Sequence, residues 1–135
     1  MRYLVDTNAF SDAMKREPRL SARVAGIALP DIVTTCAIVR GEILFGIEKT
    51  PRGKRRNSLQ KNADDLFRTI PCEPVPAGAA DHYARVKQER HSRGWPLDDN
   101  DCWIAATALF LGATVVTRDG DLRNVPGLLV ADWTV

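Results

Sequence analysis

Short apolar segments rich in β-branched residues alternate with helical stripes along this chain, and that alternation constrains the fold more than any other feature. Tyr3-Leu4-Val5, Ile32-Val33-Thr34 and Val115-Val116 lack the clean in-out alternation of half-exposed strands. They read instead as strands covered on both faces. The periodicities predict strand 2–5, helices 8–15 and 18–26, strand 32–35, and helices 37–49 and 55–69. Strand 71–75, helices 77–92 and 99–111, and strands 114–117 and 128–132 complete the series. Strands alternating with helices specify an α/β fold: a three-layer α/β/α sandwich with a central, mostly parallel sheet. At 135 residues the expectation is one domain, 1–135, with Pro and Gly punctuating its elements and no internal repeat or linker.

Four carboxylates stand where acids add little stability. Asp6 directly follows the first strand, and Asp119 follows the run Thr114-Val115-Val116-Thr117 after a single Arg118. At about 100° per residue, Glu42 lies amid the apolar stripe Ile38, Val39, Ile43 and Gly46. Asp101 lies likewise among Ile104, Ala105, Ala108 and Leu109. A buried carboxylate is expensive unless it neutralises, pairs or binds a cation. In an open α/β sheet, ligands sit beyond the carboxyl ends of the strands, where Asp6 and Asp119 fall. Four acids converging on one crevice point to a hard-metal site.

Each acid also has a plainer explanation. Asp6-Thr7-Asn8 is a good helix N-cap, Asp101 sits at the fourth position of a capping-box-like Asp98-Asp99-Asn100-Asp101, and Asp119 fits a tight turn with Gly120. Glu42 serves no helix end, so its alternative is an ion pair with Arg40 or Arg118. Singly these suffice; together they account poorly for four acids.

The formal net charge of +2 conceals an asymmetry. Residues 1–97 hold 17 Lys and Arg against 11 Asp and Glu, and residues 98–135 hold 2 against 6. A basic body around an acidic pocket suits a polyanionic substrate. Lys49, Arg52, Lys54, Arg55, Arg56 and Lys61 read first as a solvated helix start, and Arg85, Lys87, Arg90, Arg93 and Arg118 as further phosphate candidates. Three widely spaced cysteines without CxxC fit free thiols in a reducing cytoplasm, and neither a signal-peptide pattern nor a membrane span is present. His82 and His91 lack spaced partners, and neither a GxSxG nucleophile nor a phosphate-cradling Gly loop occurs.

Leu4-Val5-Asp6-Thr7-Asn8, Glu42-Ile43-Leu44-Phe45-Gly46, Asn100-Asp101-Cys102-Trp103-Ile104-Ala105-Ala106 and Val116-Thr117-Arg118-Asp119, in this order, resemble the motifs of PIN-domain ribonucleases. The likeness is to the VapC toxin branch of bacterial toxin–antitoxin pairs and runs the whole chain. It implies an endoribonuclease that uses Mg²⁺ or Mn²⁺, forms a homodimer and is inhibited by a small cognate VapB-like antitoxin from the same operon. By this resemblance Asp6, Glu42, Asp101 and Asp119 are the metal-binding, catalytic acids, supported by Thr7, Asn8 and Thr117. Arg118 stands beside them, and Asp121 is the alternative or assistant to Asp119.

Rival readings fit less well. A phosphate-accepting receiver domain needs a lysine after a late strand, yet the last lysine is Lys87. A phosphatase with an Asp-x-Asp nucleophile meets Asp6-Thr7-Asn8, and a non-catalytic RNA-binding domain leaves Glu42 and Asp101 unexplained.

Overall fold

The computed structural model describes residues 1–135. Five strands form one parallel sheet: β1 (Arg2–Val5), β2 (Ile32–Cys36), β3 (Cys72–Glu73), β4 (Ala113–Val116) and β5 (Val130–Ala131), in the order β3-β2-β1-β4-β5. Six helices, α1 (Thr7–Met14), α2 (Pro18–Gly26), α3 (Ala37–Glu48), α4 (Lys54–Thr69), α5 (Ala79–Ser92) and α6 (Asp99–Leu111), complete a three-layer α/β/α sandwich. The missing alternation in the strands has its cause here. Leu4, Val5, Val115 and Val116 are buried with essentially no exposure because helices cover both faces of the central strands.

β1 is central because both neighbours register against it: Leu4 pairs with Thr34 on one side and with Val115 on the other. The chain leaves β1 toward β2 and β3, then returns to lay β4 and β5 on the opposite side. The strand order therefore reverses between β1 and β4, and a crevice opens beyond their carboxyl ends.

Two edge strands are shorter than the sequence predicts. Residues 71–75 pair only at Cys72–Glu73, because Pro71 and Pro74 have no N–H to give the ladder. Residues 128–132 pair only at Val130–Ala131. Helix α1 begins one residue earlier than expected, since Asp6 itself caps it, and residues 120–124 coil into a 3-10 turn.

The three tryptophans are all engaged by the fold. Trp133 packs on Tyr3 at 4.9 Å, Trp103 stacks on Tyr83 at 4.1 Å, and Trp95 lies 4.0 Å from the Arg90 guanidinium. The cysteines are free thiols, and no helix is long and apolar enough to cross a membrane.

Helix α6 must stop abruptly so that β4 can enter the sheet next to β1. Gly112 does this as a left-handed C-cap at φ 64°. Gly112→Ala should cost about 1 kcal/mol, measured by denaturant unfolding, because the new Cβ disfavours that conformation. An unchanged midpoint would show that the cap is not strained by a side chain.

Candidate metal centre beyond β1 and β4

The end of β1 sets the first acid. Asp6 is buried at 3% exposure, with an extended backbone, and its Oδ1 accepts the Ala9 N–H at 2.9 Å. The capping explanation is therefore true of Asp6, yet it leaves the carboxyl in the crevice. Burial above all pushes its pKa up to about 6; the Thr117 side chain and the Ala9 N–H hold it down, and Asp119 raises it further.

Glu42 comes from α3. The ion pair that would neutralise it does not form: Arg40 lies over the Phe67 ring at 4.5 Å, and Arg118 donates to Asp12 at 2.8 Å. Instead Thr7, the residue after Asp6, donates its hydroxyl to Glu42 Oε1 at 2.6 Å. That bond ties the start of α1 to α3. Asn8 is exposed on the same first turn of α1.

Asp101 lies on the first turn of α6, half-buried. The capping-box alternative fails here, since Asp98 accepts from the Asn100 N–H. Burial raises the Asp101 pKa to about 6, and the charges of Asp119, Asp98, Asp6 and Glu42 push in the same direction. The charges of the other three acids named from the sequence thus all reach Asp101.

Asp119 caps the 3-10 turn. Its Oδ1 accepts the Asp121 N–H at 2.9 Å, and its own N–H donates to Thr117 Oγ1 at 2.9 Å. Thr117 is buried and serves both Asp119 and Asp6. Asp119 is the acid whose charge acts on both Asp6 and Asp101. Asp121 is exposed and meets Asp119 through its backbone.

Thr7, Glu42 and Asn100 also line a cleft of about 630 Å³ that continues past Gly41 and Phe45 to Lys49. Asn100 carries no signal of its own in the sequence beyond its motif; its place on this wall depends on the meeting of α6 with α3, which no local pattern reveals. The phosphate candidates fare unevenly. Arg90 is fully buried, Lys87 is bound to Asp99 and Tyr83, and Arg118 is held by Asp12. Arg90 is therefore no surface phosphate ligand, because its guanidinium is used inside the fold.

The donor set is all carboxylate oxygen, with no histidine or thiol among the acids, which fits a hard divalent cation. No three of the acids stand close enough together to hold a single ion as they lie. Three are held by local donors, namely Ala9 N–H, the Thr7 hydroxyl and Asp121 N–H. No basic side chain hydrogen-bonds any of the four, so their repulsion is left for a cation to relieve.

The family model of the PIN domain matches residues 3–128. The chain is 31% identical over 136 residues to the VapC ribonuclease Y4jK of Sinorhizobium fredii, covering 96% of each. It is 32% identical over 125 residues to the toxin FitB of Neisseria gonorrhoeae, covering 86% of each. Its fold matches the crystal structure of VapBC2 from Rickettsia felis bound to a promoter DNA fragment, with a TM-score of 0.90 at 23% identity, over 98% of this chain and 99% of that one.

Proposed function

The chain belongs to the PIN-domain family, in its VapC branch, and from that premise we propose how its residues cut RNA. The protein is an endoribonuclease toxin neutralised by a cognate VapB-like antitoxin. It uses a divalent cation, and we assign that ion as Mg²⁺ or Mn²⁺, held by Asp6, Glu42, Asp101 and Asp119. One observation carries the assignment: four carboxylates gather at one crevice, no basic side chain pairs with any of them, and burial with the neighbouring charges raises the pKa of Asp6 and Asp101.

When bound, the ion supplies Lewis acidity, activating water and stabilising charge on the scissile phosphate. The residues of the chain provide the geometry. The Ala9 N–H fixes Asp6, the Thr7 hydroxyl fixes Glu42, and Thr117 and the Asp121 N–H fix Asp119. Asp119 is the fourth acid, and Asp121 assists it through the backbone. Asp12 holds Arg118 to one side, leaving the crevice to the cation. The cleft leading to Lys49 gives the RNA strand a path whose far end is basic. The single domain spans 1–135, acts in the cytoplasm and assembles as a homodimer.

Purified protein should cleave RNA with Mg²⁺ or Mn²⁺, stop with EDTA, and not recover with Ca²⁺, which accepts looser coordination without aligning water and phosphate. Expressed alone the chain should arrest growth, and co-expression with the neighbouring antitoxin gene should restore it. Equal cleavage in metal-free buffer would remove the metal assignment. A host growing normally with intact RNA would remove the toxin reading.

A further inference from the structure

Arg90, on the last turn of α5, is fully buried and has no carboxylate partner. Its Nε donates to the Trp95 carbonyl at 2.8 Å, and its Nη1 donates to the Asp121 carbonyl at 3.0 Å. The guanidinium lies 4.0 Å from the centre of the Trp95 ring, and Nη2 is buried with no acceptor. The neighbouring Glu89 is engaged by Arg93, whose Nη1 also reaches the Asn124 carbonyl at 3.3 Å.

A buried guanidinium without a counter-ion is a poor way to stabilise a core, since an apolar side chain of similar volume commonly does as well or better. Departures of this kind gather at functional positions. What the arginine joins is informative. Trp95 lies in the segment leading to Asp98, the N-cap of α6, and so to Asp101 on its first turn. Asp121 lies in the turn capped by Asp119. A rigid planar fork therefore bridges the two segments that present Asp101 and Asp119, and Arg93, two residues before Trp95, adds a longer bond to the same turn through the Asn124 carbonyl.

We propose that Arg90 is a positioning residue for the metal centre, setting the separation of Asp101 and Asp119 by bridging the Trp95 and Asp121 carbonyls. The proposal rests on the assignment of those acids as ligands. Arg90 touches neither RNA nor cation; it acts through backbone that the acids ride on.

Arg90→Met keeps length and volume but removes the fork, and Arg90→Lys keeps the charge but reaches one carbonyl at a time. Each full-length variant is compared with the parent by thermal melting, by Mn²⁺ titration calorimetry without RNA, and by steady-state cleavage of an RNA oligonucleotide. The expected result is a melting temperature within a few degrees of the parent, Mn²⁺ affinity about 10- to 100-fold weaker, and kcat lower by a similar factor at nearly unchanged KM. Lysine should not rescue either loss. A folded variant with parental Mn²⁺ affinity and kcat would overturn the proposal, as would a loss confined to melting. Failure of both variants to fold would make Arg90 a scaffold residue and overturn it too. Parent protein that neither binds Mn²⁺ nor cleaves RNA would instead bring down the metal centre itself, so the two failures are distinguishable.

Discussion

Asp6→Asn and Asp101→Asn are each expected to lower RNA cleavage by about 10²–10³-fold or more, while the metal-free protein melts no lower than the parent. Ordinary catalytic damage and ordinary folding damage would not separate in this way. Asn matches Asp in shape and is an equally good N-cap, so the Ala9 N–H keeps its acceptor at position 6. What disappears is a negative charge that burial and the neighbouring acids disfavour, with Asp119 acting on both residues. The loss of charge removes the affinity for the cation and the repulsion together. Cleavage assays and melting curves on the same preparations check both halves. Full activity in both variants would end the assigned roles, and a drop of many degrees in melting would mean that the acids serve the fold.

The acids were legible in the sequence because two local patterns met in them. Asp6 and Asp119 follow strands and precede tight helical turns, so the capping explanation and the functional one both came from the same residues, and the structure contains both. Glu42 and Asp101 could be singled out because a charge on an apolar stripe conflicts with its neighbours. The partners of these acids were not legible. Whether Glu42 meets Arg40, Arg118 or Thr7 depends on how α1 lies against α3, and the competition was decided by Phe67 and Asp12 engaging the two arginines. Arg90 shows the limit most clearly. On α5, where polar residues dominate, it reads as one more phosphate candidate, and the Asp121 carbonyl it meets inside the fold lies 31 residues away. The edge strands failed for a simpler reason. Residues 71–75 read as a full strand, but prolines without N–H groups kept the ladder to two residues.

Burial of these acids, reinforced by their neighbours' charges, also fixes how stability should respond to pH. The pKa values of Asp6 and Asp101 are raised from 3.8 to about 6 in the folded protein. Below pH 4 both residues are protonated whether the chain is folded or not, and their contribution is fully present. As pH rises from about 4 to 6 the unfolded chain releases these protons first, so metal-free stability must fall across that window and level off above it. The buried Asp6 accounts for about 2–3 kcal/mol of the fall, and the half-exposed Asp101 for about 1 kcal/mol once solvent screening is allowed for. Asp65, Asp99 and Asp132 have lowered pKa values and oppose the trend, but only below about pH 4, where their folded forms take up protons. Metal-free protein should therefore melt higher at pH 5 than at pH 7, by several degrees. Millimolar Mg²⁺ should recover much of the difference at pH 7 and little at pH 5, because a cation binding only the folded, ionised acids stabilises that state alone. Asp6→Asn should flatten most of the slope. Melting that rises steadily from pH 5 to 7 and ignores Mg²⁺ would show that these carboxylates are already neutralised by the protein, leaving the crevice no charge with which to hold a cation.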